Sequence, residues 1–517
     1  MNLSPETKDA FSSNVVHPEF LITIAFDKLI GQLLETDIHP ASLPGSIRAA
    51  TRQINVADTH DREYAFWPTI VNLPDISFQI DPLRSEVSPT QLTVQFSANA
   101  QFPHSLIEPG GTLTATMRID LWIPGMKLED IIRYFWGQVT ASSFDRITQG
   151  ISLTAQDGDP FREIKYPPGD IKLDIDEFTD IPLNVAGRFN RTIYLGPTNF
   201  PTLCPQVSDD TFYVADQEIA PHSIENDNPF SVQVNGENVA SDDQAQGWEV
   251  EYRTPVSHIL SALEVPGQMS LIKFKNALNL ELPFITCSGF DDGFLSKDNP
   301  ILILLRDYGK YHLSPESLQI LKTLNFDLSV LNNVSDSILN IVKNRLLPQT
   351  PYMMGFRNGF LELFHLGGIQ TSIELGLGYG LYDKLEETIG ETDANQVYNA
   401  IKIGYHRNIH SQNELDLTLH AYLLDSQRAT GSLKDLLLAS EKRYDRRYLD
   451  LDFPDMTSNG IDVPHMIPII GELILRLSAF QHQVYTYRAP WFPGIMLDVN
   501  HIIYLNDALR NIIHQPV

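Results

Sequence analysis

At 517 residues the chain is too long for one hydrophobic core, because single cores stop growing at roughly 250–300 residues. Three or four subdomains are therefore expected. Its 43% hydrophobic, 10% aromatic and 20% charged residues are those of a folded protein and exclude disorder. With 37 basic against 65 acidic residues the formal charge is −28, which excludes duplex-DNA binding by phosphate neutralisation and opposes an anionic membrane.

The polar start, MNLSPETKDAFSSN, lacks a basic stretch leading into an apolar one, so it does not read as a signal peptide. The apolar stretch Met466–Leu477 is interrupted by Pro468, Glu472 and Arg476, and no span is expected. Strands dominate residues 15–165. Leu21–Phe26 and Gln91–Ala98 are rich in β-branched residues. Thr112–Ile123 alternates, with Leu113, Ala115, Met117, Ile119 and Leu121 opposite Thr114, Thr116, Arg118 and Asp120, as a half-buried strand would. Tyr134–Asp157 predicts two strands joined by a turn near Asp145–Gly150. The pattern is that of a barrel or sandwich.

Residues 166–295 read as a β-rich insertion, with a hairpin predicted at Asn235-Gly236. Within it Asp170–Ile181 predicts a strand with Asp170, Lys172, Asp174 and Asp176 on one face, either solvated or lining an assembled channel. Over 296–350 the period changes to helical. Pro300 opens one helix, Ser314-Pro315-Glu316 a second and Ser335 a third, which Pro348 stops. Strands return at Gly359–Leu366, Val397–Asn408 and Leu415–Leu424 within a second β module over 351–462, which carries a helix near Leu433–Arg443. The final unit, 463–517, predicts a helix over Val463–His482 with an apolar stripe of Met466, Ile470, Leu473, Leu477 and Phe480. A hairpin-like region over Val484–Asp507 follows, turning at Pro493-Gly494. The expected class is α+β and β-rich, with antiparallel barrel or sandwich modules around a short-helix insertion.

Chemistry-bearing motifs are sparse. No nucleophile elbow, phosphate loop, dinucleotide fingerprint or zinc-protease motif occurs. Gly376–Gly380 reads as a loop or bulge. His406 and His410 fall on a strand, where four residues span about 13 Å, too far to share a metal. Asp291-Asp292-Gly293 and Asp157-Gly158-Asp159 read as turns rather than calcium loops. Cys204 and Cys287 form no CxxC, and a single disulfide between them is left open. No catalytic, cofactor-binding or metal-binding residue is expected.

The order of these segments resembles the baseplate hub and tail-tip proteins of tailed bacteriophages. Trp136, Gly137 and Val139, with Thr154, Ala155 and Asp157, match that family's first barrel. The helices of 300–346 followed by Asn358-Gly359, Leu361 and Leu363 match its helical insertion and strand pair. The closing helix and Pro493-Gly494 match its last hairpin more loosely, and Asp180–Val239 resembles a further tail-tip segment. The resemblance implies a virion structural protein, assembled in the host cytoplasm as a ring, usually a trimer. Such a ring caps the tail tube, receives the tape-measure protein and joins spike or fibre proteins. It also leaves an acidic channel through which DNA slides without binding. Two rival readings are a tail-associated polysaccharide or peptidoglycan hydrolase, with Trp122, Trp136, Trp248 and Trp491 as candidate sugar platforms, and a carbohydrate-binding or fibre-attachment protein.

Overall fold

A computed structural model of the chain describes residues 19–26, 39–73, 79–81, 86–88, 91–97, 115–145, 147–158, 163–167, 172–189, 191, 195, 202–225, 229–235, 237–244, 246–254, 268–278, 285–291, 299–323, 328, 335–377, 388–391, 393–407, 418–456, 465–486, 501–507 and 512–516. The expected β-rich α+β class is what these residues form, as several separate sheets with short helices.

The N-terminal strands are β1 (Glu19–Ala25), β2 (Ile47–Ala50), β3 (Ile54–Ala57), β4 (Glu63–Pro68), β5 (Ile70–Asn72), β6 (Gln79–Asp81), β7 (Glu86–Ser88), β8 (Gln91–Ser97), β9 (Thr116–Trp122), β10 (Ile132–Asp145) and β11 (Gly150–Asp157). Nine of them make one open sheet in the order β3-β4-β2-β1-β9-β10-β11-β8-β5. In β8 the period of two is strict: Leu92, Val94 and Phe96 point inward and every intervening residue is exposed. The β10–β11 hairpin closes at Asp145↔Gly150, as the sequence predicts. Strand β9 departs from expectation. Its polar face is not solvated, because all seven residues are buried, including Arg118 and Asp120. His39, at the start of a 3-10 turn, packs against its Asp120, and Trp136 on the neighbouring strand β10 lies against its Arg118.

The insertion runs from β12 (Lys165–Tyr166) through β13 (Thr202–Leu203), β14 (Thr211–Ala215), β15 (Ala220–Pro221), β16 (Ser231–Val234), β17 (Glu237–Val239), β18 (Trp248–Arg253), β19 (Met269–Phe274), β20 (Ile285–Ser288) and β21 (Phe290–Asp291). Two antiparallel sheets, β13-β20-β16-β17 and β14-β19-β18, enclose a shared core of Phe212, Val214, Val232, Ile272, Phe274 and Ile285. The predicted β16–β17 hairpin is present, with Val234↔Glu237 pairing and Asn235 at φ 52. The predicted acidic strand is not. Residues 172–180 turn instead, because the Asp174 carboxylate accepts the backbone N–H groups of Asp176 and Glu177, closing a side-chain turn that competes with extended pairing. Asp170 lies outside the described residues.

The helical region holds α1 (Pro300–Leu302), continued by a π-helical segment Ile303–Tyr308, then α2 (Pro315–Thr323) and α3 (Ile338–Ile341), continued likewise over Val342–Leu346. Asn299 caps α1 ahead of Pro300, and Ser314 Oγ accepts the Ser317 N–H at the start of α2. The third helix begins later than Ser335 would place it. Asp336–Ser337 forms β22, which pairs with β12, so its backbone is committed to a strand.

Beyond it come β23 (Tyr352–Arg357), β24 (Phe360–His365), β25 (Ile369–Leu377), β26 (Thr388–Glu391), β27 (Ala400–Arg407), β28 (Thr418–Leu424), α4 (Gly431–Tyr444), β29 (Tyr448–Phe453), α5 (Met466–Ser478), β30 (Gln483–Thr486), β31 (His501–Asp507) and β32 (Ile512–Pro516). The helices and the sheet β28-β27-β29 share one core, from Ile301 and Val342 to Ile403, Leu437 and Ile470. In α5 the buried stripe is Met466, Ile467, Ile470, Gly471 and Leu475, rotated from the predicted one, and Leu477 is exposed. Gly471 lies on the buried face, where a β-carbon would meet Tyr422, Ile403 and Ile401 at the ordinary contact distances of 3.5–3.7 Å. The strands flanking the predicted closing turn do not pair with each other among the described residues: β30 pairs with β26, while β31 runs parallel to β25 and antiparallel to β32. Pro493-Gly494 lies outside the described residues. Gly376 pairs in regular register with Asn506, within a strand rather than a loop.

Candidate intermodule site

Two of the stretches that carry the sequence resemblance meet in space. The β23–β24 hairpin turns through Asn358 (φ 51) and Gly359 (φ 84), the doubly left-handed geometry that Asn-Gly favours. That conformation aims both backbone N–H groups at the end of β11. There the Asp157 carboxylate accepts them, from Asn358 at 3.0 Å and from Gly359 at 2.9 Å. Burial pushes the Asp157 carboxyl up to about 7, and the backbone N–H groups of Gly359, Asn358 and Gly158 only partly offset it. The neighbouring residue must be glycine. Gly158 sits at φ +81, and a β-carbon there would lie 2.4 Å from the Phe356 ring. Gly137 on β10 is sterically constrained as well, since a β-carbon there would lie 2.4 Å from the Gln156 carbonyl oxygen, and it bridges to Gly158. Strand β7 extends the joint by pairing in parallel with β23, giving the sheet β24-β23-β7-β6.

Beside this clasp a cleft of about 640 Å³ opens between the N-terminal sheet and the α2 and β23–β24 region. Its lining carries Asp58, Glu129, Asp130, Glu316 and Glu362 against Arg62, Arg118 and Arg133, with His39 at the wall. Arg133 lies over the Trp136 ring at 4.4 Å and reaches Phe360 at 5.7 Å, a cation–π link across the joint.

His39 and Asp120 form a pair of the kind that orients a catalytic base. His39 Nε2 is 3.1 Å from Asp120, while Arg118 Nε donates to the same carboxylate at 2.7 Å. The Ala41 N–H donates to His39 Nδ1 at 3.1 Å, which fixes the proton on Nε2. Both ring nitrogens are thereby committed, and neither is left for a nucleophile. Burial, reinforced by Arg118, lowers the His39 pKa. Burial acts against ionisation of Asp120 as well, but Arg118 and His39 outweigh it and hold its carboxyl low. The cluster is therefore a neutral imidazole against an ion pair, suited to fastening the 3-10 turn Pro40–Ser42 onto β9.

A second buried charge cluster lies in the insertion. Arg191 reaches Asp216 at 2.8 Å and Glu177 at 3.2 Å, and Tyr213 donates its hydroxyl to Asp216 at 3.0 Å. Burial raises Asp216 to about 6 even with Arg191 against it.

The other candidates do not converge. His406 is buried with its ring against His420, and His410 lies outside the described residues. Asp291 ends the sheet pair β15–β21. Trp122 and Trp136 are buried, Trp248 packs on Phe230, and Trp491 lies outside the described residues. Among the described residues no group of three metal-ligating side chains converges, and no helix is long and apolar enough to cross a membrane. The Asp157 clasp escapes sequence reading because a turn Asp and an Asn-Gly hairpin are each ordinary; only their separation of 202 residues is not.

No protein-family profile matches the chain, and no curated protein does. Among solved structures it is similar to the 43 kDa tail protein of prophage MuSo2 from Shewanella oneidensis, at 9% identity and TM-score 0.35, over 90% of this chain and 92% of that one. It is likewise similar to a tail protein from Neisseria meningitidis MC58, at 6% identity and TM-score 0.33, over 90% and 87%. A chain of the virion of a native gene transfer agent particle matches at 10% identity and TM-score 0.22, over 55% and 84%. These are phage-tail and particle components, the class that the sequence motifs resemble, and at such TM-scores the functional reading rests on the chain's own residues.

Proposed function

We propose that this chain is a structural subunit of a bacteriophage tail, placed at the baseplate hub or tail tip. Copies of it would form a ring, with three as the favoured number, that caps the tail tube and contacts tape-measure and spike or fibre proteins. The observation that carries this reading is the clasp. Motifs of the first β unit and of the second interlock where the Asp157 carboxylate accepts the backbone N–H groups of Asn358 and Gly359. A subunit that transmits load from tube to tip needs two units held at a fixed angle, and buried hydrogen bonds with a shared sheet supply that rigidity. The charge of −28 supports a lumen that DNA passes without adhering. The division into an N-terminal unit, an insertion, a helical segment and a second β unit belongs to the same proposal.

The committed ring nitrogens of His39 favour this structural reading over a hydrolase at the cleft. Interrupting the gene in its phage tests the proposal. Heads and tube subunits should accumulate without complete tails, and supplying the chain in trans should restore them. Intact, adsorbing tails in its absence would refute the proposal.

A further inference from the structure

Two thiols in the insertion are in direct contact across neighbouring strands. Cys204 follows β13 and donates its backbone N–H to the Ile285 carbonyl on β20 at 2.9 Å, while Cys287 on β20 pairs with Thr202 on β13. Both side chains point into the same core and are almost fully buried, and their sulfur atoms stand 3.5 Å apart. Phe212, Val232 and Ile285 belong to the same apolar cluster. Within the sheet order β13-β20-β16-β17 the two-residue β13 is an edge strand, so lifting it breaks few hydrogen bonds.

We propose that Cys204 and Cys287 are a dithiol–disulfide modification site that takes a small-molecule disulfide as its oxidant and staples the edge strand β13 to β20. In the first step the thiolate of one cysteine attacks the small disulfide, forming a mixed disulfide and releasing one small thiol. In the second, the other cysteine, losing its proton to solvent, attacks the mixed disulfide at the protein sulfur. The Cys204–Cys287 bond forms and the second small thiol leaves. Two protein thiols are oxidised and one small disulfide is reduced to two thiols. Burial, together with the neighbouring Cys204, raises the Cys287 thiol well above its ordinary pKa, so the closed sandwich reacts slowly. Opening of the edge strand sets the rate. In a reducing cytoplasm the pair persists as thiols, and outside it the pair closes. The bond would span a chain separation of 83 residues, which is long enough for substantial restriction of the unfolded state.

The test uses the full chain purified under reductant, then incubated with oxidised glutathione in native buffer. Thiol alkylation under denaturing conditions, peptide mass mapping and thermal unfolding follow. The expected result is loss of both alkylatable thiols, a Cys204–Cys287 cross-linked peptide, and a rise in melting temperature of roughly 5 °C or more that dithiothreitol reverses. Cys204→Ser and Cys287→Ser should each show a glutathione adduct, no intramolecular cross-link and no rise. Two thiols still fully alkylatable in folded wild-type protein after prolonged oxidation would overturn the proposal. So would a cross-link that leaves the melting temperature unchanged or lower. Should a serine variant fail to fold, the wild-type peptide map and its reversal by dithiothreitol decide the matter alone.

Discussion

Asp157, at the end of the last strand of the N-terminal sheet, accepts the backbone N–H of Gly359 at 2.9 Å across 202 residues of intervening chain. With the parallel Asn358 bond it converts a tight turn into a socket and a buried carboxylate into its plug. An isolated hairpin would leave those N–H groups in water. Here the Gly359 group is buried and the Asn358 group partly so, and a buried group of that kind costs roughly 1–3 kcal/mol when it loses its partner.

Asp157→Ala should therefore destabilise the protein by about 2–4 kcal/mol, with two orphaned donors as the cause. Urea unfolding monitored by tryptophan fluorescence checks this. A loss under 0.5 kcal/mol would mean that the clasp is incidental.

Stability should also fall as pH rises through the window below 7. The native Asp157 carboxyl is raised to about 7, while an unfolded Asp titrates near ~3.9. Between these values the native state holds the proton more tightly. Its contribution is fully present below the unfolded value and is lost as pH climbs to the native one. Asp216, raised to about 6, adds to the slope. Carboxyls held low, such as Asp120, work in the opposite direction at more acidic pH. Asp157→Asn should flatten the wild-type curve between pH 4 and 7, as measured by unfolding free energy at stepped pH.

Gly158→Ala should cost about 2–4 kcal/mol, since it combines a left-handed φ with a β-carbon driven into the Phe356 ring. Gly187→Ala, at a comparable φ of +71 but in open space, is the control that isolates the steric part. Thermal unfolding of the two variants should separate clearly.

Arg191→Met should cost about 3–5 kcal/mol, because it leaves the buried carboxylates of Glu177 and Asp216 facing each other without their cation. The triple change Arg191→Met, Glu177→Gln, Asp216→Asn should recover part of that loss, as a denaturation series would show.

How far the sequence reaches depends on the range of the interaction. Periodicity locates β8, β10, β11, β24, β27 and α4, and turn chemistry locates the Asn235-Gly236 hairpin, because both signals are local, while the Asn358-Gly359 turn is given by the family resemblance. Periodicity misses the burial of Arg118 and Asp120, since alternation cannot tell solvent from a covering layer. The acidic segment Asp170–Ile181 reads as a strand, yet its described part turns, because an Asp side-chain turn leaves no mark on hydropathy. The C-terminal strands choose β25 and β26, over a hundred residues upstream in one case, and nothing in their own composition names those partners. The site suffers from the same limit: Asp157 and Asn358-Gly359 are each visible, but their meeting is not.

The proposed ring is tested most directly by electron cryomicroscopy of the native virion at a resolution that traces strands. The prediction is a closed ring of identical copies at the distal end of the tail tube, each with Asp157 seated in the 358–359 turn, around a bore of negative potential. A lone copy away from the tube axis, or a bore lined by arginine and lysine, would contradict it.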